Sequence, residues 1–475
     1  SNGAHFGPDA IGGAVNFITD VDYQNSYSIN GFNYKNNSLD GNFTKITKNG
    51  WHLNAKGSTN QSLTNSALAK GAESDGSKNY QLNFNVVKWI SKNLKFKSIF
   101  YARNTKTAYD KSATQEESVT ADNEMYALQA GLERKNKLSS EYITFHYHNY
   151  DRLYGEIGKI DTYYSESFVA KGEHEKKFSN KISFGYGSEY KYDWGNFSTT
   201  TFTSQTKGHI KNFGVFANLG YKINDNQKLS IHGRNDDHKQ TGGSKTYKFN
   251  FTQILNKGKI GFTNSTGVKN PSLYELYGSS SFGHTGNTGI NPEKSETNEI
   301  FAEYKLSENF KFSSTAYRTR MKDRIKVNSS WTAYENKISD TTQEGLESEL
   351  IYSDLNQSLS VSSHFAKSRT DSGGPNSRRP DLSYGVDYSK NFFISELGVL
   401  NLNINYRYIG DHLDWTGSKN EFVKSVDLIN MSLNKDWFGY NFSVNFSNLL
   451  NERYEKPATY SQDGRQFRLG FRKLY

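Results

Sequence analysis

The chain has 475 residues, 58 Lys+Arg against 49 Asp+Glu for a formal net charge of +9, and no cysteine, which excludes a disulfide framework and a thiolate metal site. A mean hydropathy of −0.81 suggests a solvated or disordered chain, but an aromatic share of 15% (32 Tyr, 31 Phe, 6 Trp) excludes disorder, because unfolded segments are poor in large apolar groups. No apolar run of about 18 residues exists to make a transmembrane helix, and the opening residues lack the basic start and apolar stretch of a signal peptide.

Alternation dominates the chain from near Asn25 to Tyr475. Ile182, Phe184, Tyr186, Tyr190 and Tyr192 face one way, and Ser183, Gly185, Gly187, Glu189 and Lys191 the other. Leu400, Leu402, Ile404, Tyr406 and Tyr408 alternate with Asn401, Asn403, Asn405 and Arg407. Tyr440, Phe442, Val444 and Phe446 alternate with Asn441, Ser443, Asn445 and Ser447. Successive strand side chains point to opposite faces, so each segment has one apolar and one polar side. No amphipathic helix of useful length is evident.

Short polar turns separate the strands on one side: Lys48-Asn49-Gly50, Ser91-Lys92-Asn93, Lys135-Asn136-Lys137, 178–181, 224–227, Asn256-Lys257-Gly258 and Ser307-Glu308-Asn309. Long loops are expected on the other, at 60–78, 104–122, 151–162, 194–208, 264–294, 322–341, 367–379, 410–422 and 449–463. Counting strands between them gives an expectation of 22. Side chains fill a barrel interior only up to about 8 strands, so the apolar face must turn outward to lipid and the polar face must line a lumen. Closure removes edges that lipid would not tolerate. The expected fold is therefore all-β: a 22-stranded antiparallel transmembrane β-barrel. A propeller or stacked sandwiches would show repeats of about 40–50 residues, and none is seen.

Several segments resemble a known family. Phe6-Gly7-Pro8-Asp9-Ala10-Ile11-Gly12-Gly13-Ala14-Val15-Asn16-Phe17-Ile18-Thr19 resembles the last segment of the plug of TonB-dependent outer-membrane receptors. Gly7, Ala10, Ile11, Gly12, Gly13 and Asn16 carry that match. Asn270-Pro271-Ser272-Leu273-Tyr274-Glu275-Leu276-Tyr277-Gly278, Asn291-Pro292-Glu293-Lys294-Ser295-Glu296-Thr297 and Asn448-Leu449-Leu450-Asn451-Glu452-Arg453-Tyr454 resemble scaffold segments of the same family. Phe467, Leu469, Phe471 and the terminal Tyr475 resemble the closing strand that the barrel-assembly machinery reads, with Lys473 departing from the usual apolar occupant.

The resemblance implies residues 1–22 as a C-terminal remnant of the plug domain and 23–475 as the barrel. It implies an integral protein of the outer membrane of a Gram-negative bacterium, monomeric, set among lipopolysaccharide and outer-membrane lipid. The sequence then reads as part of a longer receptor, whose missing N-terminal portion would meet the TonB–ExbB–ExbD complex. A plugless porin is the alternative.

Arg234-Asn235-Asp236-Asp237-His238, Ser377-Arg378-Arg379-Pro380 and Tyr408-Ile409-Gly410-Asp411-His412-Leu413-Asp414 most resemble the vitamin B12 branch of the family. Cobalamin is therefore the first expected cargo, with a siderophore or haem second. That branch also implies Ca²⁺ in the outer loops, at Glu73, Asp75, Asp110 and Asp122; such an ion needs six to eight oxygens. The bland reading of these four is solvated loop acids. Loop aromatics Tyr154, Trp194, Tyr277, Phe282, Trp331 and Trp415 are the candidate cargo contacts, since flat rings cover large ligands at little entropic cost. Their plainer role is an interfacial girdle.

The excess of basic residues could attract anionic cargo, or simply solvate loops. No basic stripe with a base-stacking platform suggests nucleic acid. His146 and His148 alternate on one strand without an evident carboxylate partner, and neither a Gly-x-Ser-x-Gly elbow nor a phosphate loop is present. No enzymatic activity is expected.

Overall fold

The computed structural model describes residues 4, 7–11, 26–33, 36–63, 68, 75–112, 115–156, 158–201, 204–281, 283–371, 376–394, 398–416 and 419–474. The strands are β1 (Ser26–Asn33), β2 (Asn36–Ile46), β3 (Trp51–Leu63), β4 (Gly76–Trp89), β5 (Leu94–Ser112), β6 (Gln115–Lys135), β7 (Ser139–Glu156), β8 (Lys159–Lys177), β9 (Ile182–Thr199) and β10 (Ser204–Lys222). They continue as β11 (Gln227–His238), β12 (Gly242–Leu255), β13 (Gly258–Lys269), β14 (Glu293–Lys305), β15 (Phe310–Lys322), β16 (Ile325–Val327), β17 (Tyr334–Asn336) and β18 (Thr341–Ser353). The last are β19 (Gln357–Thr370), β20 (Leu382–Ile394), β21 (Gly398–Ile409), β22 (His412–Trp415), β23 (Asn420–Val423), β24 (Val426–Trp437), β25 (Tyr440–Ser447) and β26 (Gln466–Leu474).

Among the described residues, 22 of these strands form one sheet, and β16–β17 and β22–β23 are separate small hairpins within loops. Each large strand pairs antiparallel with its neighbours along the chain. β1 also pairs with β26, from Ser26 opposite Leu474 to Gly31 opposite Leu469, so the ladder of pairings returns to its start.

The two faces differ as the alternation requires. On β7, Ile143, Phe145 and Tyr147 are 51%, 48% and 41% exposed, and comparable apolar side chains stand exposed on strand after strand. Water does not favour such a surface, whereas lipid does. The opposite face is polar and internally bonded. Asn54 donates to Asn42 at 2.6 Å and accepts from Asn85 at 3.2 Å across β2, β3 and β4. Asn401 donates to Asn391 at 2.8 Å, and Arg407 pairs with Asp387 at 2.8 Å. Phe467, Leu469 and Phe471 lie on the apolar face, where Phe471 packs on Tyr440 with centroids 4.9 Å apart. Lys473 sits 4.5 Å over the Tyr440 ring and donates to its hydroxyl at 3.0 Å, which accounts for a lysine at an otherwise apolar position. Tyr475 lies outside the described residues.

Three expected loops are walls instead. The described residues within 104–122, 151–162 and 194–208 continue the ladders of β5 to β10, with Asp110 opposite Ser118, Tyr154 opposite Asp161, and Ser204 opposite Thr199. These six strands reach 18–21 residues. Crossing lipid needs only about 9–11. Beyond the lipid both faces meet polar surroundings, so apolar–polar alternation fades, although Thr105, Thr107, Tyr109, Val119 and Thr120 keep a strand-favouring composition.

The described part of the expected plug remnant lies against the polar face. Asp9 donates its backbone N–H to Val268 at 2.9 Å, and Ser295 donates to the Ile11 carbonyl at 3.4 Å. Gly7 has φ +90, and a Cβ there would stand 3.2 Å from the Arg234 guanidinium, so this position favours glycine on two counts. Gly12, Gly13 and Asn16 lie outside the described residues.

Candidate functional site

The tall strands carry the richest inward surface. Register places His148, Tyr150, Arg152 and Tyr154 of β7 beside Ser167, Ser165, Tyr163 and Asp161 of β8. Asp193 and Lys191 of β9 follow, opposite Ile210 and Asn212 of β10, and Asn212 faces His238 of β11. Arg234 anchors this wall. Its side chain has no solvent exposure; it bonds both Asp236 oxygens at 2.8 Å and Glu189 at 3.0 Å. Asn212 adds a bond to Asp236 at 2.9 Å. Lys191 pairs with Asp193 at 3.0 Å, and Ser167 donates to the same carboxylate at 2.6 Å. The Arg234-to-His238 string is thus occupied in holding the wall together.

The segment between β13 and β14 folds over this wall. A short helix, Leu273–Tyr277, begins with a reciprocal cap: Glu275 N–H donates to Ser272 Oγ at 3.2 Å, and Ser272 N–H to Glu275 Oε2 at 2.7 Å. Leu276 joins Ile210 and Ile290 in a buried apolar cluster, with Tyr277 packed against it. A Cβ on Gly208 would stand 2.0 Å from the Tyr277 ring, so β10 needs glycine where the helix approaches. Thr206 Oγ1 donates to the Tyr277 carbonyl. Asp161, fully buried, accepts from Ser281 N–H at 2.8 Å, Ser281 Oγ at 3.1 Å and the Tyr163 hydroxyl at 3.1 Å. Tyr274 sits among rings: 5.4 Å from Tyr163, 5.6 Å from Phe197 and 5.5 Å, stacked, from His284. Burial pushes the Tyr274 and Tyr334 phenols up and the His284 imidazole down.

Two adjoining cavities result, sharing Ser165, Ser272 and Leu273. One, of about 560 Å³, is charged and includes Asp9, His148, Lys191, Asp193, His238 and Lys269. The other, of about 480 Å³, is aromatic, with Tyr150, Tyr154, Tyr163, Phe197 and Tyr274 around Arg152.

Across the ring, Asp414 clasps three loops. It accepts from Arg378 Nε at 2.6 Å, Trp415 N–H at 2.7 Å and Ala458 N–H at 2.9 Å. Burial pushes its carboxyl up, but the Ala458, Arg378 and Trp415 donors outweigh that and hold it below the usual carboxylate range.

The expected cargo aromatics separate. Tyr154 lines the aromatic cavity. Trp194 stands on the apolar face of β9, 5.7 Å from Tyr164, and belongs with the outward girdle. Tyr277 is packed against the apolar cluster. Trp331 and Trp415 are exposed in the loops holding the two small hairpins, and Phe282 lies outside the described residues. Of the expected calcium ligands, Asp75, Asp110 and Asp122 fall within the described residues. Asp122 pairs with Lys106 at 2.9 Å and also accepts from Asn104, and Lys106 lies four residues from Asp110 along β5, roughly 13 Å at strand rise. Asp75 is buried, and Glu73 lies outside the described residues. Among the described residues no group of three or more His, Asp or Glu could hold a metal. Arg152, Asp161 and the Ser272/Glu275 cap escaped sequence reasoning; only the Ser-x-x-Glu spacing was a legible signal for any of them.

The chain matches the family described as TonB dependent receptor-like, beta-barrel, over residues 9–451. Similar solved structures include the siderophore receptor PirA of Acinetobacter baumannii, 15% identical, with TM-score 0.80, covering 96% of this chain and 81% of that one. A variant of the ferric enterobactin receptor PfeA of Pseudomonas aeruginosa is 15% identical, with TM-score 0.81 and coverage of 99% and 83%. The ferric yersiniabactin receptor FyuA of Yersinia pestis is 12% identical, with TM-score 0.78 and coverage of 100% and 84%.

Proposed function

The chain belongs to the TonB-dependent receptor β-barrel family, and from that premise we propose that it takes up a ferric siderophore across the outer membrane, binding it against the inner wall of β5–β10. The family is one of outer-membrane receptors and transporters, not enzymes; it takes small-molecule cargo with energy coupled through TonB. The observation that carries the cargo reading is the wall itself: strands prolonged beyond the lipid, roofed by the Leu273–Tyr277 segment and enclosing the charged and aromatic cavities. Such a concave surface with convergent polar groups suits a bulky chelate. The siderophore receptors among the similar structures support the same choice.

Cobalamin moves to second place for a physical reason. The strings that pointed to it supply Arg234, Asp236, Arg378 and Asp414, all engaged in ion pairs that hold wall and loops. The remnant at 1–22 and the energy-coupling partners remain parts of the proposal that follow from family membership, whereas an outer-loop calcium belongs to the cobalamin reading and takes second place with it. Equilibrium binding to the purified chain in detergent tests the reading. Ferric chelates are expected to quench its intrinsic fluorescence saturably while cyanocobalamin does not; the reverse order would replace the siderophore with cobalamin.

A further inference from the structure

Arg152 is the unspent group of this wall. Its Nε is buried with no acceptor, and among the described residues no carboxylate pairs with it. The inward acid of the adjoining strand, Asp161, is engaged by Ser281 and Tyr163. The residue is half-buried and lines the aromatic cavity, so its guanidinium is open to a ligand there, and its planar fork suits a bidentate oxyanion. Arg152 lies 4.9 Å over the Tyr154 ring, which Tyr109 abuts edge-on at 6.1 Å. Tyr163, Phe197 and Tyr274 line the same cavity, with mutual centroid distances of 5.4–6.2 Å. A slot lined by flat rings favours a flat ring within it.

We infer that this cavity is a subsite for an aryl oxyanion, and that Arg152 makes the receptor select iron chelates with catecholate or phenolate arms. The inference rests on the siderophore reading and narrows it to one chelate class. A hydroxamate arm offers neither the ring for the slot nor the aryl oxygen pair for the guanidinium. Aromatic burial supplies affinity, and the single cation supplies orientation.

The test compares a ferric tris-catecholate with a ferric trihydroxamate, by fluorescence quenching of the purified chain in detergent. The tris-catecholate is expected to bind at least tenfold tighter. Arg152→Gln should weaken it by about tenfold or more, Arg152→Lys by less, and neither should alter hydroxamate binding. Equal loss of both chelates, or no loss of the tris-catecholate, overturns the assignment. Should Arg152→Gln fail to fold, the unaltered chain still decides. Free 2,3-dihydroxybenzoate must displace the tris-catecholate, and a neutral dimethoxybenzamide or inorganic phosphate must not. Displacement by phosphate at equal concentration overturns the aryl part. Tight hydroxamate binding without catecholate binding sinks the subsite and leaves the siderophore reading standing; binding of cyanocobalamin alone sinks both.

Discussion

Strands β5–β10 run 18–21 residues, whereas β11–β15 and β18–β21 run 12–14, and β13, β15, β19 and β21 hand over to long connections. The extra length raises one wall by roughly 20 Å above the lipid at ordinary strand rise and tilt. The tall side is held by continuous backbone ladders and, at its seam with β11, by a buried ion cluster in which Arg234 reaches Glu189 of β9. The low side is held by side-chain clasps between loops, chiefly at Asp414. A ladder is cooperative along its length, and a clasp acts at one point. The tall wall is therefore the more rigid surface, as the proposed binding wall requires, and the low side is held at points where loops can open separately.

Arg234→Gln should strike hardest. It leaves Asp236 buried and Glu189 half-buried without their cation, a loss of about 3–5 kcal/mol, seen as a lowered urea midpoint of the whole barrel in detergent. Asp414→Ala should come next and stay local. It strips the acceptor from Arg378 and from the Trp415 and Ala458 N–H groups, about 1–3 kcal/mol of loop stability. Protease should then cut faster within 371–381, 410–425 or 448–465 at an unchanged urea midpoint. A shift of the midpoint as large as that of Arg234→Gln would erase the distinction between the two sides.

Gly208→Val probes the roof of the tall wall. The new side chain must displace the Tyr277 ring, so the Leu273–Tyr277 segment should lift, raising hydrogen exchange there while the β9–β10 ladder stays protected. Asp354, in the turn between β18 and β19, gives the smallest effect. The Tyr352 hydroxyl and the Asn356 N–H, then Gln357, hold its carboxyl down to about 2. A depressed folded pKa stabilises the turn above the ordinary carboxylate range and loses that contribution as pH falls through about 2. Nuclear magnetic resonance of the turn should show the change in that window, and Asp354→Asn should flatten it.

The period of two was legible wherever the wall crosses lipid, because one face there is apolar and the other polar. It failed for 104–122, 151–162 and 194–208, where polar residues occupy both faces. Parity carried more than was drawn from it. Trp194 shares the even numbering of Ile182, Phe184 and Tyr186, which marks it as outward, while Tyr154 has the opposite parity to Phe145 and Tyr147, which marks it as inward. Arg234 has Asp236 two residues on along its own strand, where Arg152 has Tyr154, and that difference was legible in the sequence. The Glu189 and Asn212 contacts that complete the Arg234 cluster come from other strands, and register is a property of the folded sheet.

The central claim is that the odd-numbered apolar residues of β7 face lipid and the even-numbered polar ones face the interior. Because the chain has no cysteine, single cysteines can be placed without background at Ile143, Thr144, Phe145, His146, Tyr147 and His148, spin-labelled, and read in bilayers. Collision with oxygen should peak at 143, 145 and 147, and collision with a water-soluble nickel chelate at 144, 146 and 148. Equal accessibility along the strand, or the two patterns exchanged, would contradict it.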